Sequence, residues 1–124
     1  MPLTGLLGPH SLTHEEVDAA VKKNVPGTFA VGIERDGRFY ILKVSRSDSD
    51  LNGRLHDHVK IYDVFKYIET ETAAEAFSRE CQLYHDFMPR DNDYHPKCPE
   101  GMELKCPICE DEQLEPKKGW KSFI

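Results

Sequence analysis

The feature that most constrains this chain is a pair of β-rich runs joined by a four-residue turn. Phe29, Val31 and Ile33 alternate with Ala30 and Gly32, and residues 39–45 return as a second run after Arg35-Asp36-Gly37-Arg38. Alternation at period two offers one face of a strand to a core, and Gly37 can take the positive φ that a tight turn needs. A hairpin over residues 27–45 is therefore expected. An isolated hairpin is at best marginally stable in water, so other elements must extend or cover it.

Those elements are legible on both sides. Thr13 stands three residues before Glu16, a capping-box spacing, with Leu12 and Val17 placed as a hydrophobic staple. A helix over about residues 14–23 follows, with Val17, Ala20 and Val21 on one face, and it stops before Asn24-Val25-Pro26-Gly27. Ser49 and Asp50 can cap a helix over residues 50–58 that carries Leu51, Leu55 and Val59, although Gly53 costs it about 1 kcal/mol relative to alanine. Residues 61–68, rich in β-branched and aromatic side chains, read as a third strand. Thr72 and Glu75 repeat the capping-box spacing, and an apolar stripe from Ala73 to Phe87 runs up to Pro89. Residues 1–12, broken by Pro2, Gly5, Gly8 and Pro9, read as a loose lead-in.

The expected class is α+β: a small three-stranded antiparallel sheet flanked by helices, in the order αββαβα, with an irregular metal-stapled C-terminal tail. The lead-in and first helix occupy residues 1–26, the central unit residues 27–88 and the tail residues 89–124, packed on the same domain. A length of 124 residues suits one core, burying roughly two thirds of the unfolded surface. No apolar run approaches the roughly 20 residues that cross a bilayer, and the N-terminus lacks the charged region of a secretory signal. A cytoplasmic protein with no membrane partner is expected. The net charge of −6 argues against tight, non-specific binding of nucleic acid, but leaves room for a local basic cleft.

The tail contains the strongest chemical signal. Pro96, Pro99, Pro107 and Pro116 interrupt it, so it cannot build a core of its own and needs a metal staple or docking on the body. Cys106-Pro107-Ile108-Cys109 is a knuckle that lets two thiolates reach one tetrahedral zinc ion. Cys81 and His85, four apart on the last helix, project from one face and complete the preferred ligand set of Cys81, His85, Cys106 and Cys109. His95 and Cys98, in the proline-rich loop, are the alternative second pair. Four protein ligands leave no position for water, so the zinc would be structural. The competing reading makes Cys81 a core thiol and His85 a helix-end histidine. Trp120 and Phe123 give the chain an apolar end that docks on the body or on a neighbour.

The central unit resembles the GIY-YIG nuclease family. The resemblance spans about residues 27–88. It rests on Gly27-Thr28-Phe29 opening the hairpin, Lys43-Val44-Ser45-Arg46-Ser47 ending it, Asp50-Leu51-x-x-Arg54-Leu55-x-x-His58 on the next helix, and Glu80 on the last. In that family two tyrosines, an arginine and a glutamate line one pocket. The glutamate holds a divalent metal on the scissile phosphate, a tyrosine helps activate the attacking water, and the arginine steadies phosphate charge. The resemblance implies Arg54, His58 and Glu80 as the catalytic positions, with Mg²⁺ at Glu80. Three positions depart from the pattern: Phe29 and Lys43 replace the tyrosines, and Ser45 replaces the glycine that follows the second. Phe29 has no hydroxyl, and Lys43 would need a strongly depressed pKa to act as a base. Tyr40 lies on the opposite strand face from Lys43 unless the register slips.

Three functions follow. The first is a zinc-binding, GIY-YIG-like module with a degenerate nuclease site, binding DNA through Lys43, Arg46 and Arg54 or binding a protein partner. The second is a divergent metal-dependent endonuclease or phosphodiesterase using Glu80, Arg54 and His58. The third is a small zinc-binding adaptor.

Overall fold

A computed structural model describes residues 5–99, 101 and 106. Cys109, Trp120 and Phe123 lie outside these residues, and so do the expectations placed on them. The elements in chain order are β1 (Leu7–Ser11), α1 (His14–Ala20), β2 (Gly27–Arg35), β3 (Arg38–Ser47), α2 (Leu51–His56), β4 (Val64–Glu69) and α3 (Ala73–Phe87). The sheet has four strands, in the order β1-β4-β2-β3, and all neighbouring pairs are antiparallel.

The expectation of three strands is therefore corrected to four. The extra strand, β1, comes from the supposed lead-in. Its register shifts between Leu7 and His10, around Gly8 and Pro9, and it lies on an outer edge where a proline without a donor is tolerated. Its residues carry no alternating pattern, because what makes it a strand is the partner: His10 pairs with Phe65, and its ring sits 5.3 Å from that phenyl centroid.

Two smaller shifts have local causes. The third expected strand starts at Val64 and not at residue 61, since Ile61 N–H closes a turn onto the His58 carbonyl at 3.0 Å. The second helix ends at His56, short of residue 58.

Both capping residues work as their spacing implied. Thr13 Oγ1 accepts from Glu16 N–H and Thr72 Oγ1 from Glu75 N–H, each at 3.1 Å. A cap of this kind is worth about 1 kcal/mol. Helix α3 then ends at Phe87, and its cap residue Met88, at a φ of 43°, reverses the chain ahead of Pro89.

The sheet separates two apolar clusters. On one side, under α1 and α2, Val17, Phe29, Val31, Leu51, Leu55 and Phe65 are all fully buried. On the other, Ala30 and Val44 meet Leu83 and Tyr84 of α3. Fully burying a side chain of the first group contributes about 1.5–3 kcal/mol. Asp18 clamps α1 to α2 by accepting from His56 Nε2 at 2.8 Å and from Asn52 Nδ2 at 3.1 Å.

The hairpin contains a bulge. Val31 pairs with Lys43, but Gly32 pairs with Ile41, so Leu42 is the extra residue. A Cβ on Gly32 would lie 1.9 Å from the Tyr40 carbonyl oxygen, so only glycine fits there. The slip also re-aims the strand. Tyr40 opposes Ile33 and Lys43 opposes Val31, which puts Tyr40 and Lys43 on the same face.

Candidate functional site: a cationic groove beside a thiol–imidazole cluster

Strand β3 is an edge strand, and its last residues form the wall of a groove of about 360 Å³. Ser45, Arg46, Ser47, Asp48, Arg54, Glu80 and Lys97 line it. Arg46 pairs with Thr28 in the register and so faces α3, where Glu80 waits. Arg54 reaches the groove from α2 and Lys97 from the loop after α3. Arg54 and Glu80 therefore line one groove.

Their relation differs from a simple ion pair between two helices. The partner of Glu80 is Arg46, whose Nη1 donates to Glu80 Oε1 at 2.5 Å while its Nε donates to Asp48 Oδ1 at 2.7 Å. The guanidinium carbon lies 5.2 Å above the Phe77 ring centroid, within range of a cation–π contact. Burial pushes the Glu80 carboxyl up to about 7, against the pull of Arg46. Arg54 and Lys97, by contrast, are exposed. Three cations and two carboxyl groups meet here in a chain whose overall charge is −6.

His58 is placed elsewhere. It is 8% exposed and stands edge-on to Phe29 at 5.2 Å, and its Nδ1–H donates to the Arg54 carbonyl at 3.0 Å. Burial lowers its pKa, so at neutral pH it is an uncharged imidazole in the α2-side core. It is not among the residues lining the groove. Lys43, half-buried on β3, faces the same side of the sheet as Phe29. The positions suggested by the family pattern thus divide, with Arg54 and Glu80 in the groove and Phe29, Lys43 and His58 in a packed cluster.

The second feature lies one residue further along α3. Donor atoms of Cys81, His95 and Cys106 all fall within 4.8 Å of one another, and all three residues are buried. This group can hold a metal ion. His95 Nδ1 lies 2.8 Å from the Pro96 carbonyl oxygen, which can only accept, so Nδ1 carries the hydrogen and Nε2 offers its lone pair. Metal-binding histidines are commonly oriented by such a bond. Burial, then the neighbouring Cys106, push the Cys81 thiol pKa up, so ligation would have to displace a held proton.

His85, in the preferred set, is drawn in through His95: the two Nε2 atoms are 3.2 Å apart. Cys98 packs against Phe77, Cys81 and Cys106 from the loop side. His95 was the alternative in the sequence reading, because nothing in a proline-rich loop shows that it folds back onto α3. The same loop hides Lys97. Its only sequence signal is its place between His95 and Cys98.

No helix among the described residues is long and apolar enough to cross a membrane. Compared with family models, curated proteins and solved structures, the chain matches none.

Proposed function

We propose that this protein is a metal-stapled, GIY-YIG-like module that grips the phosphodiester backbone of a nucleic acid in the groove between β3, α2 and α3, and does not cut it. The observation that carries this reading is the division of charge in the groove. Glu80, the carboxylate a metal-dependent nuclease would keep for Mg²⁺, is buried and engaged by Arg46 at 2.5 Å. Arg54 and Lys97 remain at the open side. Fixed cations beside serine hydroxyls suit phosphate oxygens, whereas Mg²⁺ needs an accessible carboxylate and several waters. The order from β2 to α3 is ββαβα.

In the same reading the cysteine–histidine cluster is a structural zinc site. Thiolate and imidazole donors suit zinc. Cys81, His95 and Cys106 supply three ligands, and His85 or Cys109 the fourth. Two imidazoles on one tetrahedral zinc, at about 2.0–2.1 Å per bond, stand slightly more than 3 Å apart, close to the His85–His95 separation of 3.2 Å.

A hydrolytic reading has one observation in its favour. The bulge turns Tyr40 to the face of Lys43, returning a phenol to the side of the sheet where the family pattern puts one. Incubation with supercoiled DNA under Mg²⁺ or Mn²⁺ separates the readings. The binding module retards the DNA and leaves it intact. Nicking that disappears in both Glu80→Ala and Tyr40→Phe would establish the hydrolytic alternative.

A further inference from the structure

The groove and the metal cluster are built from adjacent residues at two separate points of the chain. On α3, Glu80 lines the groove and Cys81 belongs to the metal cluster. In the loop after α3, Lys97 lines the groove two residues beyond His95 of the cluster. Across the interior, Arg46 lies over Phe77, and Phe77 packs with Cys81 and Cys106.

We infer that the metal centre places Lys97 as a phosphate contact, so that metal occupancy sets how tightly the groove holds nucleic acid. This rests on the proposal that the groove binds a phosphodiester backbone.

Two anchors bracket the loop. Near its start, the Asn92 side chain accepts from Val44 N–H at 2.8 Å and donates to the Val44 carbonyl at 2.9 Å, tying that end to β3. Five residues later comes Lys97, with the cluster residues His95 before it and Cys106 after it in the chain. A metal bound by Cys81, His95 and Cys106 fastens this stretch to α3 and fixes the lysine at the groove wall. Without the metal, Asn92 still anchors the loop and Cys98 still packs against Phe77, Cys81 and Cys106, but Lys97 loses the metal-bound points before and after it.

The sheet does not depend on that fastening. The two apolar clusters that sandwich it contain none of Cys81, His95 and Cys106. Metal removal should therefore act on the loop and on Lys97, leaving the strands paired. Arg54 and Arg46, carried by α2 and β3, stay in place and sustain weaker binding.

The test titrates the full chain, loaded with one equivalent of Zn²⁺, against a labelled single-stranded DNA of about 16 nucleotides over a series of salt concentrations. Each single-strand phosphate contact steepens the dependence of log affinity on log salt by about 0.7. Chelating the metal from the wild type should weaken binding several-fold and flatten the slope by about that amount. Lys97→Gln in the loaded protein should do the same, and chelating that variant should add little.

An unchanged slope in loaded Lys97→Gln would overturn the inference, as would chelation that weakens wild type and variant equally. Amide exchange of β2 and β4 in the chelated protein guards against general unfolding. Loss of protection there would also contradict the inference. If the loaded wild type binds the oligonucleotide no better than Arg54→Gln, the groove proposal itself fails, an outcome distinct from binding that ignores the metal.

Discussion

Arg46 Nη1 donates to Glu80 Oε1 at 2.5 Å, and the two side chains are only 12% and 9% exposed. The contact joins the end of β3 to the middle of α3 and commits the one buried carboxylate of the groove to an internal partner. Two charges this far from water depend on each other. Removing Arg46 lets the already raised Glu80 carboxyl take up a proton, which keeps the cost below the about 3–5 kcal/mol of a buried charge left unpaired.

Arg46→Met should accordingly destabilise the protein by about 1–3 kcal/mol in urea titration. Asp48→Asn, which removes the exposed half of the same network, should cost less than about 1 kcal/mol. Equal effects from the two substitutions would show that the buried pair has no special weight.

His58 gives a pH dependence with a defined sign. Burial depresses its pKa from the ordinary 6.5, so the native state resists a proton that the unfolded chain accepts. Its contribution is complete above pH 6.5 and is lost as pH falls below that value toward the native pKa. In that window it should add a slope approaching 1.4 kcal/mol per pH unit, as an approximate upper limit. Stability measured between pH 8 and pH 5 should fall more steeply for the wild type than for His58→Gln. Parallel curves would mean that His58 takes up its proton in the fold as readily as in the unfolded chain, against the depressed pKa that burial gives it.

The metal cluster predicts one equivalent of zinc per chain. Cys106→Ser and His95→Ala should each lower metal content sharply, with Cys81 and Cys106 remaining reduced thiols in the native protein. His85→Ala decides the fourth ligand. A loss matching that of His95→Ala places His85 on the metal, whereas retention assigns the position to another donor such as Cys109. Full zinc content in His95→Ala would remove His95 from the centre.

What the sequence made legible was local. The hairpin, the two side-chain caps and the order of the helices follow from alternation, capping spacing and proline positions; β2, β3 and α3 lie where those signals put them, while α1 starts on its cap but ends at Ala20, short of residue 23, with Val21 already extended. What it hid was non-local. Strand β1 has no pattern of its own and becomes a strand by pairing with β4. The bulge at Leu42 is set by the close approach of Gly32 to the Tyr40 carbonyl, which no periodicity displays, and it reversed the expected facing of Tyr40. At the site, Arg54 and Glu80 were legible only through the family resemblance, which places both in one pocket. The Arg46–Glu80 pairing depended on which face of an edge strand Arg46 took, and the roles of His95 and Lys97 on how a proline-rich loop folds back.

The central claim is a groove that binds a phosphodiester chain through Arg54, Lys97 and the serine-lined end of β3. Fluorescence anisotropy of a labelled DNA oligonucleotide, titrated with zinc-loaded protein in Mg²⁺ and followed by gel analysis of the same sample, tests it most directly. The account predicts saturable binding that weakens with salt and is lowered several-fold by Arg54→Gln, with the oligonucleotide recovered intact. Binding that is indifferent to Arg54→Gln, or cleavage of the oligonucleotide during the titration, would contradict it.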